Sequence, residues 1–547
     1  MANIKIPRKQ FEKEIGKLDE KMQEKIAMFG TPLESFDDNE MELEIFPNRP
    51  DMLSYQGFKR AFLGFLGKKI GLKKYKINPP EKDYKIIIDS SVKNIRPYTV
   101  CSIVKGLKFD DNKIKEIIEI QEKLHLTLGR KRKKFGIGIY PLDKIKLPIT
   151  YKALEPDKIK FVPLEMDREM SGLQILQRHP AGKEYAHLLA GKEKFSIFID
   201  ADKNILSMPP IINSQLTGKI DETTTDVFIE CSGFDFEILS KCLNIIITIL
   251  ADMGGKVYQM DLGYSKKKIT PNLDVDKMKI SLENTNKILG LDLNEKQIKQ
   301  LIEKMGYDYS RGEVEIPSWR TDVLHEVDLI EDVAIAYGYE NFIPEIPEIS
   351  TIGEENSRET VKKKFCDILT GLNMLEISNY HLTNKKDQIK KMDVPKKQEF
   401  DFVELEGSKT DYNILRKDLT HYLLKIFSEN TDSEYPQKIF EIGKVFSEAE
   451  KEIVEDDNLC AGFAPGNFTD LKQVVNYFFK MIDKKIEFKE PNESPNHFID
   501  GRVAEIIFNN KSIGFVGEIH PKILRNWKIK MPVSLFEIKL EDLFKEI

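Results

Sequence analysis

Trp319–Tyr339 reads W-R-T-D-V-L-H-E-V-D-L-I-E-D-V-A-I-A-Y-G-Y and carries Asp322, Asp328, Glu331 and Asp332 within one short segment. The last three have i, i+3, i+4 spacing, so a helix puts them on one face. Val327, Ile330, Ala334 and Tyr337 then form an apolar stripe on roughly the opposite face. Grouped carboxylates repel one another unless positive charge sits among them. A hard divalent cation such as Mg²⁺, held by a few carboxylates plus waters and phosphates, meets that need. The plainer alternative is an acidic first helical turn steadied by the helix dipole, at about 0.3–1 kcal/mol per charge.

Outward from this helix, residues of about 270 to 345 predict a small unit of the order helix, helix, strand, helix. Asn294 and Gln297 have the spacing of a reciprocal capping pair at the start of a helix Glu295–Met305, which Gly306 ends. Glu313–Ile316 is a short strand, and Pro317–Arg320 leads into the acidic segment. Upstream, residues 1 to about 85 form a first unit. There Leu43–Gly67 predicts a strand, a turn at Pro47–Asp51 and a helix with Leu53, Phe58, Ala61, Phe62 and Phe65 on its apolar side. A lysine-rich tail with Pro79-Pro80 reads as a linker. Residues 86 to about 268 predict a mixed unit with strands Lys85–Asp89, Thr99–Lys105, Phe135–Tyr140 and Ser196–Asp200, and a helix Glu237–Asp252 stopped by Gly254-Gly255. Residues of about 350 to 547 alternate helices (Arg358–Thr370, Asp418–Glu429) with strands Arg502–Phe508 and Ser512–Glu518, paired across Asn509-Asn510-Lys511. The fold class is therefore α+β and multidomain.

The chain has 547 residues, 41% hydrophobic and 32% charged, which suits several domains of roughly 150 residues, each with its own core. Its net charge of −6 gives no global basic footprint for nucleic acid. Cys101, Cys231, Cys242, Cys366 and Cys460 are scattered without a C-x-x-C pair, which argues against a zinc site or disulfide framework and for a reducing cytoplasm. The first residues lack the apolar core of a signal peptide. The most apolar run, Ile245–Leu250, is far shorter than the roughly 20 residues that span a bilayer.

Several stretches, in order, resemble the archaeal and eukaryotic type of phenylalanyl-tRNA synthetase β subunit: N-R-P-D-M-L-S near 48, I-G-I-Y-P-L-D-K-I near 137, F-V-P-L-E near 161, L-S-M-P-P-I-I-N near 206, F-I-E-C-S-G near 228, P-S-W-R-T-D through A-Y-G-Y, F-E-I-G near 440 and G-E-I-H-P near 517. The resemblance implies an (αβ)₂ enzyme that joins phenylalanine to tRNA-Phe with ATP, the synthetic site lying on the α subunit. It implies a mixed α/β editing domain at 86–268, a small helix-rich acidic domain at 270–345 and a class II synthetase-like antiparallel-sheet domain at 350–547 that lacks catalytic motifs. It also implies a Mg²⁺ shared with the α subunit through Asp322, Asp328, Glu331 and Asp332. No G-x-x-x-x-G-K-[ST] loop or dinucleotide fingerprint is present in the sequence. Leu415-Arg416 resembles the remnant of an arginine-bearing motif and is not assigned ATP chemistry.

Tyrosine is phenylalanine plus one hydroxyl, and an apolar pocket rejects such an addition only by about 10². A second, hydrolytic site is therefore useful, and the resemblance places it at Ser207, Asn213, Glu230 and Ser232. Glu230 would accept a hydrogen bond from the tyrosine hydroxyl, while the others fix the ester and a water. The resemblance leads us to expect threonine in many relatives where Ser232 stands. The bland alternative is that Asn213 and the serines only turn or cap backbone. The basic run Gly129–Lys134 is either a tRNA phosphate contact or a solvated loop. Two other functions compete: a free-standing tRNA deacylase, and an RNA-binding scaffold without synthetase activity, which the net acidity disfavours.

Overall fold

Met41, Leu43 and Ile45 alternate with polar residues, and their burial makes Glu40–Ile45 the central strand of a three-stranded antiparallel sheet, between Ala2–Pro7 and Leu33–Phe36. The computed structural model describes residues 2–396, 402–450 and 452–546. The chain divides into two units, Met1–Ile346 and Pro347–Ile547.

In the first unit, N-R-P-D-M-L-S-Y-Q-G is a tight corner. Arg49 binds Asp51 through two bonds of 2.9 Å, Ser54 caps the helix Tyr55–Phe65, and Gly57 packs so closely that a Cβ would stand 1.9 Å from the Asp51 carbonyl oxygen. Phe58 and Phe62 of this helix stack with centroids 5.1 Å apart and are fully buried. The lysine-rich tail is not a free linker. Lys73 and Tyr75 bind Asp252, and Ile77–Asn78 adds a parallel strand beside Lys256–Tyr258. Its charges read as solvent-seeking, but a buried carboxylate draws them in.

The central region stacks two sheets. A five-stranded sheet has the order Ile77–Asn78, Lys256–Tyr258, Tyr98–Lys105, Val227–Gly233, Phe135–Pro141. A seven-stranded sheet runs from Ile212–Asn213 through Ile205–Met208, Phe195–Ile199, Ile149–Leu154, Lys85–Ile88 and Met260–Leu262 to Lys268–Thr270. Cys101, Ile103, Tyr140, Phe228, Tyr151, Phe198 and Leu206 share one core cluster. Val100, Val104, Ile137, Ile229 and Cys231, on the alternate faces of the same strands, pack instead with the helices Asp111–Leu126 and Phe236–Asp252. Ile245–Leu250 is the buried heart of the second helix.

Next come helices Leu282–Leu289, Glu295–Lys304 and Glu326–Tyr337 with three strands, of which only Glu313–Ile316 is legible in the sequence. Its neighbours Asp276–Lys279 and Asp308–Ser310 are edge strands with no buried residue, so they carry no alternation to read. Asn294 and Gln297 form the expected capping box.

The second unit is built on a seven-stranded sheet in the order Leu375–Glu376, Gln437–Ala449, Glu452–Ala464, Ser534–Lys539, Lys511–Ile519, Phe498–Phe508, Glu487–Lys489. Every pairing is antiparallel except the first. Asn509 and Asn510, both with positive φ (47° and 63°), make the tight turn between two of its strands. Arg416 lies inside this unit, 1% exposed, bound to Glu441 at 2.6 Å and to the Lys444 carbonyl at 2.7 Å. Gly443 makes room for it, since a Cβ there would stand 2.3 Å from Arg416 Nη2. F-E-I-G therefore supplies both the counter-charge and the space for the arginine of Y-N-I-L-R. Among the described residues no helix is long and apolar enough to cross a membrane.

Truncating Arg416 to alanine leaves the buried Glu441 without its ion-pair partner and is expected to cost about 3–5 kcal/mol. Urea unfolding followed by the fluorescence of Trp527, which is buried in the same unit, measures it.

Candidate functional site

The acidic helix spans Glu326–Tyr337, with His325 as its N-cap. Its buried face differs from the expected stripe. Ile330 and Ala334 are buried, but Val327 is 46% exposed, and Leu329, Asp332, Val333 and Ala336 complete the inner face. Asp332 is drawn inward by Arg320, whose Nη2 lies 2.8 Å from it, while Nε and Nη2 also grip Asp322 at 2.8 and 2.6 Å. Tyr307 donates to the same Asp332 oxygen. Burial disfavours the Arg320 charge, but Asp332, Tyr307 and Asp322 outweigh that and hold its pKa well above the ordinary value.

Asp328 closes a capping box by accepting from the backbone N–H groups of Leu324 and His325 at 2.7 Å each. Glu331 is exposed, and partial burial with repulsion from Asp332, Asp328 and Asp322 raises its pKa. Of the four carboxylates, two are thus neutralised by an arginine and one is engaged as a cap. Among the described residues no three His, Cys, Asp or Glu side chains are arranged to hold a metal ion. The set does not fit a cation cage made by this chain alone, and Arg320 supplies the positive charge the sequence calls for.

The second candidate site lies at the margins of the two stacked sheets. Ser207 and Asn213 face each other across the pairing of Ile205–Met208 with Ile212–Asn213, at one edge of the seven-stranded sheet. Glu230 comes from Val227–Gly233, next to the edge strand of the other sheet. All three line one cavity of about 560 Å³, in the range of small-molecule sites. Ile117, His125, Ile137, Ile139 and Pro210 give it a largely apolar wall.

Glu230 is 1% exposed, and burial pushes its pKa up to about 8 against the pull of Arg96. At neutral pH it is mostly the uncharged acid. Its Oε1 is 3.3 Å from the Tyr140 hydroxyl, which is also 3.3 Å from Asn213 Oδ1. Glu230 Oε2 and Ser207 Oγ are buried with no hydrogen bond of sound geometry among the described residues. Ser232, two residues along the same strand face, does not line the cavity. Its hydroxyl and carbonyl accept from Arg96 at 3.3 and 2.6 Å, so it anchors the buried guanidinium behind Glu230. His125 is committed as well: its Nε2 accepts from the Ile137 N–H at 2.8 Å, and burial lowers its pKa.

Four participants escape the sequence reading. Arg96 and Tyr140 act through contacts distant in sequence. Gly136 and Gly138 do leave a signal, because F-G-I-G-I-Y alternates glycine with isoleucine, which marks a strand face where other groups come close. The basic run is only partly a solvated loop. Arg130, Lys131 and Arg132 all have positive φ, and Arg132 turns inward to Glu122 at 2.7 Å and the Ile211 carbonyl at 2.9 Å, over the Tyr185 ring. Arg130, Lys131 and Lys133 stay exposed.

Comparison with known proteins matches residues 278–339 to the tRNA synthetase B5 domain and residues 343–540 to the phenylalanyl tRNA synthetase beta chain CLM domain. The phenylalanine–tRNA ligase beta subunit of Thermococcus sibiricus is 38% identical over 509 residues, covering 91% of this chain and 90% of its own length. That of Archaeoglobus fulgidus is 38% identical over 531 residues, covering 95% and 94%. A crystal structure of an N-terminal fragment of the phenylalanyl-tRNA synthetase beta subunit from Pyrococcus horikoshii superposes with a TM-score of 0.58 at 36% identity, covering 61% of this chain and 99% of the fragment. At this identity and coverage, the chain belongs to the phenylalanine–tRNA ligase beta subunit family.

Proposed function

We propose that this ligase subunit hydrolyses mischarged Tyr-tRNA in the cavity around Ser207, Asn213 and Glu230. A companion α subunit would perform the ATP-dependent attachment of phenylalanine to tRNA-Phe, in a cytoplasmic (αβ)₂ assembly. In this reading residues 86–268 are the editing domain, 270–345 the acidic domain and 350–547 a catalytic-like domain without synthetic chemistry. Family membership supports the assembly.

The observation that carries the hydrolytic role is the pair of buried, unpartnered oxygens, Glu230 Oε2 and Ser207 Oγ, in a cavity whose wall there includes Ile137, Ile139 and Pro210. A buried polar group without a partner is costly to keep. A phenolic hydroxyl that binds Glu230 would relieve that cost, whereas a phenyl ring leaves it in place. This asymmetry gives much sharper discrimination than an apolar pocket can.

Hydrolysis adds water across the ester, releasing tyrosine and free tRNA. Neither Glu230, which is largely protonated, nor His125, which is committed to Ile137, is free to act as general base. Ser207 and Asn213 would position the ester and the water, and the neighbouring ribose hydroxyl of the substrate would take part in proton transfer. Ser232 supports the site through Arg96.

At the acidic helix, Asp328 Oδ1 and Glu331 are the oxygens this chain can offer to Mg²⁺. The remainder of the shell would come from the companion subunit and water. The four-carboxylate set thus becomes a half-site, with Asp322 and Asp332 fixing Arg320 beneath it.

Two measurements test this reading. Glu230→Ala is expected to lose at least about tenfold of the preference for hydrolysing Tyr-tRNA over Phe-tRNA, and an unchanged preference in a deacylation assay would sink the selectivity role. Mg²⁺ titrated calorimetrically into this chain alone is expected to show no tight saturable uptake, while Asp328→Asn weakens Mg²⁺-dependent association with the α subunit. Tight uptake by the lone chain, or unaltered association of the variant by sedimentation, would contradict the half-site.

A further inference from the structure

In the pairing of Phe135–Pro141 with Val227–Gly233, Gly138 lies opposite Glu230 and Tyr140 opposite Phe228. The Tyr140 ring stacks on Phe228 with centroids 5.8 Å apart. The phenol folds back over Gly138, so that a Cβ there would stand 2.2 Å from Tyr140 Oη and 2.7 Å from Glu230 Oε1. Its hydroxyl is thereby held between Glu230 Oε1 and Asn213 Oδ1, each at 3.3 Å. Both contacts are long for O–H···O bonds, as such contacts often are before substrate binds.

A phenol has one proton, and here it meets two acceptors. If Glu230 were ionised, one of them would lack a donor. If Glu230 carries its proton on Oε1, the chain closes: Glu230 donates to Tyr140 Oη, and Tyr140 donates to Asn213 Oδ1. The two protons of that chain are then both placed and Glu230 Oε2 is left as an acceptor, with Ser207 Oγ beside the Tyr140 hydroxyl as the other buried oxygen without a well-formed bond.

We infer that Tyr140 is a positioning residue for hydroxyl recognition, holding the Glu230 proton on Oε1 so that Oε2 is a pure acceptor for the phenolic hydroxyl of a tyrosyl ester. This inference rests on reading the cavity as a deacylation site. The residue acts through Glu230 and does not itself line the cavity.

The groups facing Glu230 leave it the chief group in its immediate surroundings to titrate near neutrality. Tyr151 and Cys101, on the strands packed against it, and Cys231, on its own strand, are all raised by burial, Cys101 and Cys231 well above the ordinary thiol value. Arg96, though lowered by burial, is a guanidinium that keeps its charge. His125, which lines the cavity, is lowered by burial, and Glu122, Glu165 and Lys219 also line it.

The test compares Tyr-tRNA and Phe-tRNA hydrolysis by the full chain with its companion subunit, from about pH 6 to about pH 9. The parent is expected to keep a flat Tyr-over-Phe preference across the Glu230 titration, because Oε2 accepts in both protonation states. Tyr140→Phe keeps the stacking ring but frees the proton to sit on Oε2. Its preference should fall about tenfold at low pH and recover as Glu230 ionises, where only the carboxylate presents an assured acceptor. Gly138→Ala leaves the hydroxyl in place chemically but displaces it, and should show the same low-pH loss. Should that variant fail to fold, Tyr140→Phe decides alone, with its thermal unfolding midpoint as control.

A Tyr140→Phe enzyme with the parent's preference and profile would overturn the inference. So would a loss equal at every pH, which marks a packing role. A parent that shows no preference for Tyr-tRNA would overturn the deacylation reading and this inference together, and that failure is visible before any variant is made.

Discussion

A guanidinium is costly to take out of water unless its charge is matched, and this requirement organises the chain at its buried arginines, even though Arg60 Nη2 and Arg320 Nη1 find no acceptor among the described residues. In the first unit Arg60 leaves the helix Tyr55–Phe65 to bind Asp252 and Tyr75, and lies over the Trp319 ring at 4.7 Å. One side chain thereby ties the N-terminal corner, the end of the long helix and the start of the acidic segment. Arg320 does the same within the acidic segment, and Arg96 behind Glu230. In the second unit Arg416 and Glu441 join the two stretches Y-N-I-L-R and F-E-I-G. Three of the short family motifs, N-R-P-D-M-L-S, P-S-W-R-T-D and F-E-I-G, are thus places where buried charge is matched.

This also explains what could be read from the sequence. The capping box of Asn294 and Gln297, the long apolar helix and the continuously buried strands Tyr98–Lys105 and Phe135–Pro141 follow from local chemistry, and they stand within a residue or two of where the pattern puts them. The edge strands Asp276–Lys279 and Leu375–Glu376 do not, since neither has a fully buried residue to give a hydropathy pattern. The acidic helix shows the other limit. Hydropathy puts Val327 inside and Asp332 outside, yet the reverse holds, because an arginine twelve residues earlier makes burial of the carboxylate the better solution.

The candidate cavity was legible in its outer parts only. Ser207, Asn213 and Glu230 converge on it, though they come from two sheets. Ser232 shares a strand face with Glu230 but is occupied by Arg96. The residues that neighbour Glu230, Arg96 and Tyr140, lie far from it in sequence; Arg96 displays no pattern, and Tyr140 stands in a quoted stretch that does not by itself tie it to Glu230. What sets the state of this buried acid is the identity of its neighbours across the sheet.

The missing side chain at Gly138 has a consequence for how such a pocket can change over generations. Tyr140 and Glu230 both occupy the volume that a Cβ would take. No larger residue can enter at 138 while those two stay as they are, and neither can be exchanged for a different shape without leaving a void beside the glycine. The three positions therefore form one steric unit: a side chain at 138 requires the Tyr140 hydroxyl and Glu230 Oε1 to move.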